Sequence, residues 1–150
     1  MITSPRSGCP INRGLEVLGD QWSLVILRDI AAYDRRGFRE LLTGSPEGIS
    51  APVLSRRLAD LTTAGLLVKS PTPRGKQGRY SLTELGIATL PLMVAVADFG
   101  MAVDPSTAEQ QPEFSRSGGA DQMASWQAAL RERHLVGEPV GSGSGDLGGA

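Results

Sequence analysis

The chain has 150 residues, a mass of 15.8 kDa and a formal net charge of -1, and 40% of its residues are hydrophobic. These values fit one domain of ordinary size with appendages. One cysteine excludes an internal disulfide framework, and one cysteine with one histidine is too little for a structural zinc site. We therefore expect no metal and no cofactor. The N-terminus lacks the apolar run of a secretory signal, which predicts a cytoplasmic location.

The first part of the chain predicts three helices and a turn. The spacing of apolar residues favours helices over Pro10–Leu18, over Gln21 to about Ala32 with Asp20 as N-cap, and over Gly37–Leu42. Thr43–Ile49 contains two glycines and a proline and predicts the turn.

The central segment predicts a helix followed by a hairpin. Ser50 is the expected N-cap, and Leu54, Leu58 and Leu61 share one face of the helix that it opens. Gly65 is expected to end that helix. The strands are predicted over Leu66–Ser70 and Tyr80–Leu82, on either side of a turn at Pro71–Arg79.

A long apolar helix is predicted over Glu84–Val103, capped by Thr83 and bent at Pro91. Pro91, Asp98 and two glycines argue against a membrane span. A helix that is apolar nearly all round more often packs between subunits, so we expect a homodimer and no membrane partner.

The chain after residue 104 is predicted to form segments attached to the main domain. We expect a linker over Pro105–Gly119, a helix over Ala120–Leu135 that packs through Met123, Trp126 and Leu130, and a disordered Gly/Ser-rich tail over 137–150. The predicted division is 1–104, a DNA-binding and dimerisation domain; 105–136, a linker and C-terminal helix; and 137–150, the tail.

The order of elements predicts a mainly α fold with a small β-hairpin: a dimeric winged helix-turn-helix with an extra C-terminal helix. The stretch from Arg28 to Arg79 carries ten basic and five acidic residues, while the chain from Pro105 onward is acidic. A basic helix face and a basic wing tip on the same side of the fold point to double-stranded DNA. The alternative is that these charges form only a solvated face.

Four segments in this order carry a family resemblance: CPINRGLEVLGDQWSLVILRDI, FRELL, GISAPVLSRRLADLTTAGLL and YSLTELG. Together they resemble the HxlR-type winged-helix transcriptional regulators, which are relatives of the MarR group. The resemblance covers about Cys9 to Gly100. It implies a homodimer on a palindromic or repeated operator, a recognition helix at Ser50–Leu61, and a dimer interface formed by Glu84–Val103 with the N-terminal helix.

The expected DNA-binding residues lie on the recognition helix, the wing and the third helix. They are Arg39, Ser50, Ala51, Pro52, Ser55, Arg56, Arg57, Arg74, Lys76 and Arg79.

Three further residues are candidates for sensing. Cys9 stands where HxlR-type regulators that respond to electrophiles or oxidants carry a cysteine, and it precedes a helix with Arg6 and Arg13 nearby. The alternative is a structural cysteine. Trp22 and Phe99 are candidates for an effector pocket, although Trp22 also fits the core. His134 is expected to be a solvated residue of the C-terminal helix.

The sequence bears on three alternative functions. An enzyme is not expected, because the only cysteine and the only histidine are 125 positions apart. A ligand-gated regulator with an interface pocket and no redox role stays open. So does a winged-helix adaptor that has lost DNA binding. The preferred interpretation is a DNA-binding regulator, acting as a repressor, that a small-molecule effector or an oxidant releases.

Overall fold

The computed structural model describes residues 4–116 and 119–135. The predicted tail over 137–150 lies outside these residues. Within them the elements follow one another as α1 (Pro10–Leu18), α2 (Ser23–Tyr33), α3 (Phe38–Gly44), α4 (Ala51–Thr63), β1 (Leu67–Lys69), β2 (Tyr80–Leu82), α5 (Glu84–Ile87), α6 (Leu90–Val103), two 3-10 helices (Pro105–Gln110 and Glu113–Ser115) and α7 (Ala120–Leu135). The predicted mainly α winged helix-turn-helix is confirmed.

The core lies between the helices and the hairpin. Leu27, Ile30, Leu54 and Leu82 are almost completely buried there. The predicted apolar face of the fourth helix is confirmed, since Leu54, Leu58 and Leu61 are its buried residues. Burying such side chains is the main favourable contribution to folding, and here it fixes the side of α4 that faces away from solvent.

Two helix starts differ from the sequence prediction by small shifts. α2 begins at Ser23, two residues later than expected, so its N-cap position is Trp22 and the prediction of Asp20 as N-cap is wrong. The Asp20 carboxylate instead stabilises the turn before the helix by accepting from the backbone N–H groups of Trp22 and Ser23 at 2.8 and 3.0 Å. α3 begins at Phe38 because the Glu40 carboxylate reaches back and accepts from the backbone N–H of Gly37 at 2.9 Å.

The predicted hairpin is confirmed. β1 and β2 are antiparallel, with Leu67 opposite Leu82 and Lys69 opposite Tyr80. Gly65, predicted to end the recognition helix, has φ +78, a left-handed conformation that glycine adopts without the steric cost of a Cβ. The hairpin therefore starts at a fixed angle directly after α4.

The predicted long helix is divided into α5 and α6 by a turn at Ala88–Thr89, and not bent at Pro91. Pro91 lies in the first turn of α6, where its missing N–H removes no helical hydrogen bond. Thr83 caps α5 as expected, accepting from the backbone N–H of Gly86 at 3.1 Å. Glu84–Val103 is long and apolar enough to cross a membrane when only length and composition are considered. Core helices of soluble proteins meet the same two criteria.

The C-terminal segment packs on the winged domain. Phe114 and Ser115, within the stretch predicted as a linker, are buried in the second 3-10 helix. Leu130 of α7 is buried, and Met123 and Trp126 pack against the core as predicted.

The prediction of a solvated His134 is wrong. The side chain is 5% exposed, and its Nδ1 accepts from the backbone N–H of Leu82 at 3.2 Å. Burial, reinforced by the positive charge of Arg36, lowers the pKa of His134 to about 4.

Candidate nucleic-acid interface

The turn before α4 sets up an exposed first turn on that helix. Ile49 is buried and anchors the turn, while Gly48 has φ +73. Ser50 occupies the N-cap position as predicted, but its hydroxyl makes no capping hydrogen bond. Ala51 and Pro52 follow it on the surface. The N–H groups of this first turn lack helical partners and can donate to a phosphate, except at Pro52, which has no N–H.

The outward face of α4 carries two of the predicted base-contacting residues. Ser55 and Arg56 are exposed, one turn beyond the N-terminus of the helix. Their position opposite the buried leucines leaves them free of the core. A helix that enters the major groove contacts base edges through such residues.

Arg57 differs from its neighbours because it has internal partners. Its guanidinium forms ion pairs with Asp20 at 3.3 Å and with Asp60 at 3.0 Å. Burial raises the pKa of Asp20, but hydrogen bonds from Ser23 and Trp22 outweigh this effect and hold the pKa below its ordinary value. Arg57 thus links α4 to the start of α2, and a DNA phosphate would compete with two carboxylates for it.

The wing places its predicted basic residues in solvent. Arg74, Lys76 and Arg79 are all exposed. Gly75 between them has φ +89, and the Lys76 N–H donates to the Pro73 carbonyl at 3.1 Å, which closes the tip as a tight turn. The tip is therefore a fixed basic protrusion.

One concavity joins the wing to the recognition helix. It has a volume of about 460 Å³ and is lined by Ser55 of α4, by Phe38 of α3, and by Arg74 and Lys76 of the wing. The structure therefore brings three of the predicted residues, Ser55, Arg74 and Lys76, to one surface.

The other predicted residues do not line this concavity. Arg39 is exposed on α3, and Arg79 ends the wing turn with its carbonyl accepting from the Ser70 N–H at 2.8 Å.

Sequence reasoning missed two residues that build this surface. Lys69 lines the concavity with its ammonium group 5.6 Å from the ring centre of Tyr80. Arg36 donates from Nε to the Tyr80 carbonyl at 3.1 Å and also bonds to Ser81. Lys69 could have been found as a basic residue at the end of the first strand. The role of Arg36 depends on a strand 44 residues away and leaves no local signal.

Cys9 is exposed at the N-cap position of α1. Arg6 and Arg13, the neighbours expected to favour a thiolate, both bond to Glu16, at 3.0 and 3.2 Å. The Arg6 backbone N–H also donates to Glu16, and these contacts lower the pKa of Glu16 to about 2. Glu16 thus balances one of the two positive charges near Cys9, and the sensing role of Cys9 stays a prediction.

A further cavity is not lined by the predicted effector residues. It has a volume of about 730 Å³ and is lined by α2, α6 and the 3-10 segment. Trp22 and Phe99 do not line it: Trp22 packs partly buried against the core, and Phe99 is 71% exposed on α6.

The family model for HxlR-like helix-turn-helix proteins matches residues 17–107, which is more than half of the chain. The chain belongs to this family. It is 32% identical over 93 residues to an uncharacterized HTH-type transcriptional regulator of Synechocystis sp., covering 61% of this chain and 67% of the relative. Transcriptional regulation by a helix-turn-helix protein, and not catalysis, is the role shared by the family and this relative.

Solved structures agree with the fold. PA1607, a candidate transcription factor, is 35% identical with a TM-score of 0.58, over 65% of this chain and 66% of that chain. A candidate MarR-family regulator from Porphyromonas gingivalis W83 is 31% identical with a TM-score of 0.56, over 67% of this chain and 96% of that chain. Both matches leave about a third of this HxlR-like regulator uncovered, and the family model stops before its second 3-10 helix and α7.

Proposed function

We propose that this regulator binds double-stranded DNA in the cytoplasm as a homodimer, at a palindromic operator, and represses transcription. The observation that carries the proposal is the shared concavity, in which Ser55 of the recognition helix faces the basic wing residues Arg74 and Lys76. A duplex held there would meet a reading helix and a backbone contact at the same time.

The length of α4 suits the major groove. Its 13 residues correspond to about 20 Å of helix, and its exposed first turn carries Ser50, Ala51 and Pro52. The wing would contact the flanking backbone or the minor groove through its cations. Arg39 and Arg79 are exposed and would add phosphate contacts.

A stripe of apolar side chains on α6 supports the homodimer. Leu92, Val96, Phe99 and Val103 follow one another at spacings of four, three and four residues and are between 44% and 71% exposed. Such a spacing is typical of helices that pack against another helix. Ile11 and Leu15 of α1, also exposed, would extend the interface.

DNA binding is tested by fluorescence anisotropy on duplexes selected from a randomised pool. We expect log affinity to fall by about 0.9 per phosphate contact for each unit of log salt. Lys76→Ala should weaken binding to all duplexes and reduce the slope by about 1. Arg56→Ala or Ser55→Ala should instead alter base preference, by about 1–3 kcal/mol at one position.

Arg116→Ala is the matched control, since Arg116 is exposed beside α6 and α7 and far in sequence from the recognition helix. Affinity that responds equally to Arg116→Ala and Lys76→Ala would remove the assignment of the wing. A chain that binds no duplex at low salt would favour the adaptor function instead. Repression itself is tested by placing the selected operator within a promoter and measuring transcript levels with and without the protein.

A further inference from the structure

The 730 Å³ cavity is enclosed by parts of the chain that are distant in sequence. Its walls are α2, the turn before α4, α6 and the segment from Thr107 to Ser115. That last wall lies almost entirely beyond the residues matched by the family model. The volume is within the range of sites that bind small organic molecules.

Most of the cavity wall is apolar, and part of it consists of flexible methionine side chains that can adapt to a ligand. Leu24, Met93, Met101 and Phe114 contribute aliphatic, thioether and aromatic surface from three separate elements. Thioethers pack well against flat rings, and the aromatic side chain offers a second stacking surface. A ligand that fits this wall therefore has a flat and largely apolar body.

The charged residues of the wall mostly satisfy one another. Arg28 donates to Glu47 at 2.6 and 2.9 Å and to Asp29 at 2.7 and 2.9 Å. The Arg28 guanidinium lowers the pKa of Glu47 to about 2, so this pair stays ionised. Glu109 adds an exposed negative charge at the rim. The wall has no surplus positive charge, which disfavours an anionic ligand.

Arg35 is the least completely paired cation of the wall. Its Nη1 is buried and forms an ion pair with Asp29 Oδ2 at 3.5 Å but no hydrogen bond among the described residues, while the side chain as a whole is 29% exposed. The guanidinium carbon lies 4.6 Å from the ring centre of Tyr33, which holds the group in place at the wall. The Arg35 guanidinium makes no hydrogen bond among the described residues, so an acceptor that a ligand brings to its exposed part would be bound favourably.

We propose that this cavity is a binding site for an uncharged small molecule that combines a flat, apolar body with one hydrogen-bond acceptor directed at Arg35. A role for that molecule as an effector rests on the proposed function, whereas the binding site itself does not.

The test uses three naphthalene probes on the full chain, with binding followed by fluorescence. Prodan is uncharged and carries a ketone acceptor; 2-dimethylaminonaphthalene lacks the ketone; 1-anilinonaphthalene-8-sulfonate is an anion. We expect one Prodan molecule per chain, bound about fivefold more tightly than the ketone-free probe, as one hydrogen bond predicts. The anion should bind more weakly than both.

Two variants locate the site. Gly100 lines the cavity and has open space where a Cβ would be, so Gly100→Leu should fill the cavity and reduce the affinity for Prodan at least tenfold. Ala102→Leu is its control, since Ala102 is exposed on the same helix and does not line the cavity. Arg35→Met should remove the preference for Prodan over the ketone-free probe, and Arg28 still pairs with Asp29 in that variant.

Several outcomes would overturn the proposal: no saturable Prodan binding, equal effects of Gly100→Leu and Ala102→Leu, or tightest binding of the anion. An unfolded Arg35→Met variant, recognised by circular dichroism, leaves the Gly100→Leu comparison as the deciding result. All titrations are made without DNA. A chain that binds Prodan but no duplex therefore contradicts the proposed function alone.

Discussion

The two terminal helices of the chain differ in how they use their apolar residues. α7 buries Leu130 and His134 against the winged domain and adds an ion pair from Arg131 to Glu84 at 2.9 Å. α1 buries no residue at all, and Ile11 and Leu15 are 74% and 60% exposed. One helix is therefore completed within its own chain, and the other has an apolar face that a single chain leaves in water.

Because of this difference, we expect the two helices to contribute to different properties: α7 to the folding stability of one chain, and α1 to the association of two chains. Substitutions in α7 should act on the folding of one chain, at any protein concentration. Substitutions in α1 and on the α6 stripe should act on association and depend on concentration. Four variants distinguish the folding of one chain from the association of two, and the loss of Leu130 has the largest expected effect.

Leu130→Ala should destabilise the chain by about 3 kcal/mol, because it removes a buried side chain and leaves a cavity between α7 and the core. Urea denaturation monitored by circular dichroism measures the change. Ile11→Ala is the control on the other terminal helix and should change the free energy of unfolding of the monomer by less than about 0.5 kcal/mol. Equal losses in the two variants would contradict the distinction between the helices.

His134 should make folding stability depend on pH. Its pKa is lowered to about 4 in the folded chain, mainly by burial, with Arg36 and Arg133 lowering it further and Asp34 opposing them. In the unfolded chain the pKa is about 6.5, so the unfolded state binds the proton first. Stability should therefore fall as pH decreases from about 6.5 to about 4, by up to about 3 kcal/mol.

Urea titrations at a series of pH values measure this slope. His134→Gln is the informative variant, because it removes the only histidine of the chain. Glu16 and Glu47, with pKa values lowered to about 2, contribute only below about pH 4.5. A slope between pH 5 and 6.5 that persists in His134→Gln would show that another group is responsible.

Phe99→Ala should weaken the homodimer by about 2 kcal/mol, or roughly thirtyfold in the dissociation constant, if Phe99 is buried against the second chain. Sedimentation velocity over a concentration series gives that constant. Val68→Ala is the control, since Val68 is 38% exposed on β1 and lies outside Glu84–Val103. A wild-type chain that stays monomeric at micromolar concentration would contradict the assembly altogether.

Cys9→Ser should have the smallest effect. We expect unchanged operator affinity before treatment, because Cys9 is exposed and its thiol makes no capping hydrogen bond. Treatment with diamide or a quinone should weaken operator binding by the wild type only, since a modified Cys9 beside α1 would disturb an interface built on that helix. The same response in both proteins, or in neither, would make Cys9 a structural residue.

Periodicity predicted the winged domain because the buried face of its recognition helix is visible in the sequence. Leu54, Leu58 and Leu61 recur at helical spacing, and the hairpin is bounded by glycine and proline. Local rules also found the cap Thr83. These features depend on residues that are neighbours along the chain.

What the sequence left hidden depends on partners far along the chain. The acceptor role of His134 requires the Leu82 N–H, 52 residues away. The pairing of Arg57 with Asp20 and the burial of the Arg35 Nη1 likewise depend on contacts between elements that are separate in sequence. The break at Ala88–Thr89 has no proline or glycine of its own, so a bend at Pro91 was the nearest signal that composition offered.

The contact between His134 and Leu82 also bears on aggregation. β2 forms its ladder with β1 along one edge, and two N–H groups on its other edge are taken by the Arg36 carbonyl at 2.8 Å and by His134. A bare strand edge invites pairing with a strand of another molecule. α7 thus shields an otherwise open edge, and a chain shortened before Ala120 would expose the Leu82 donor and be prone to edge-to-edge self-association.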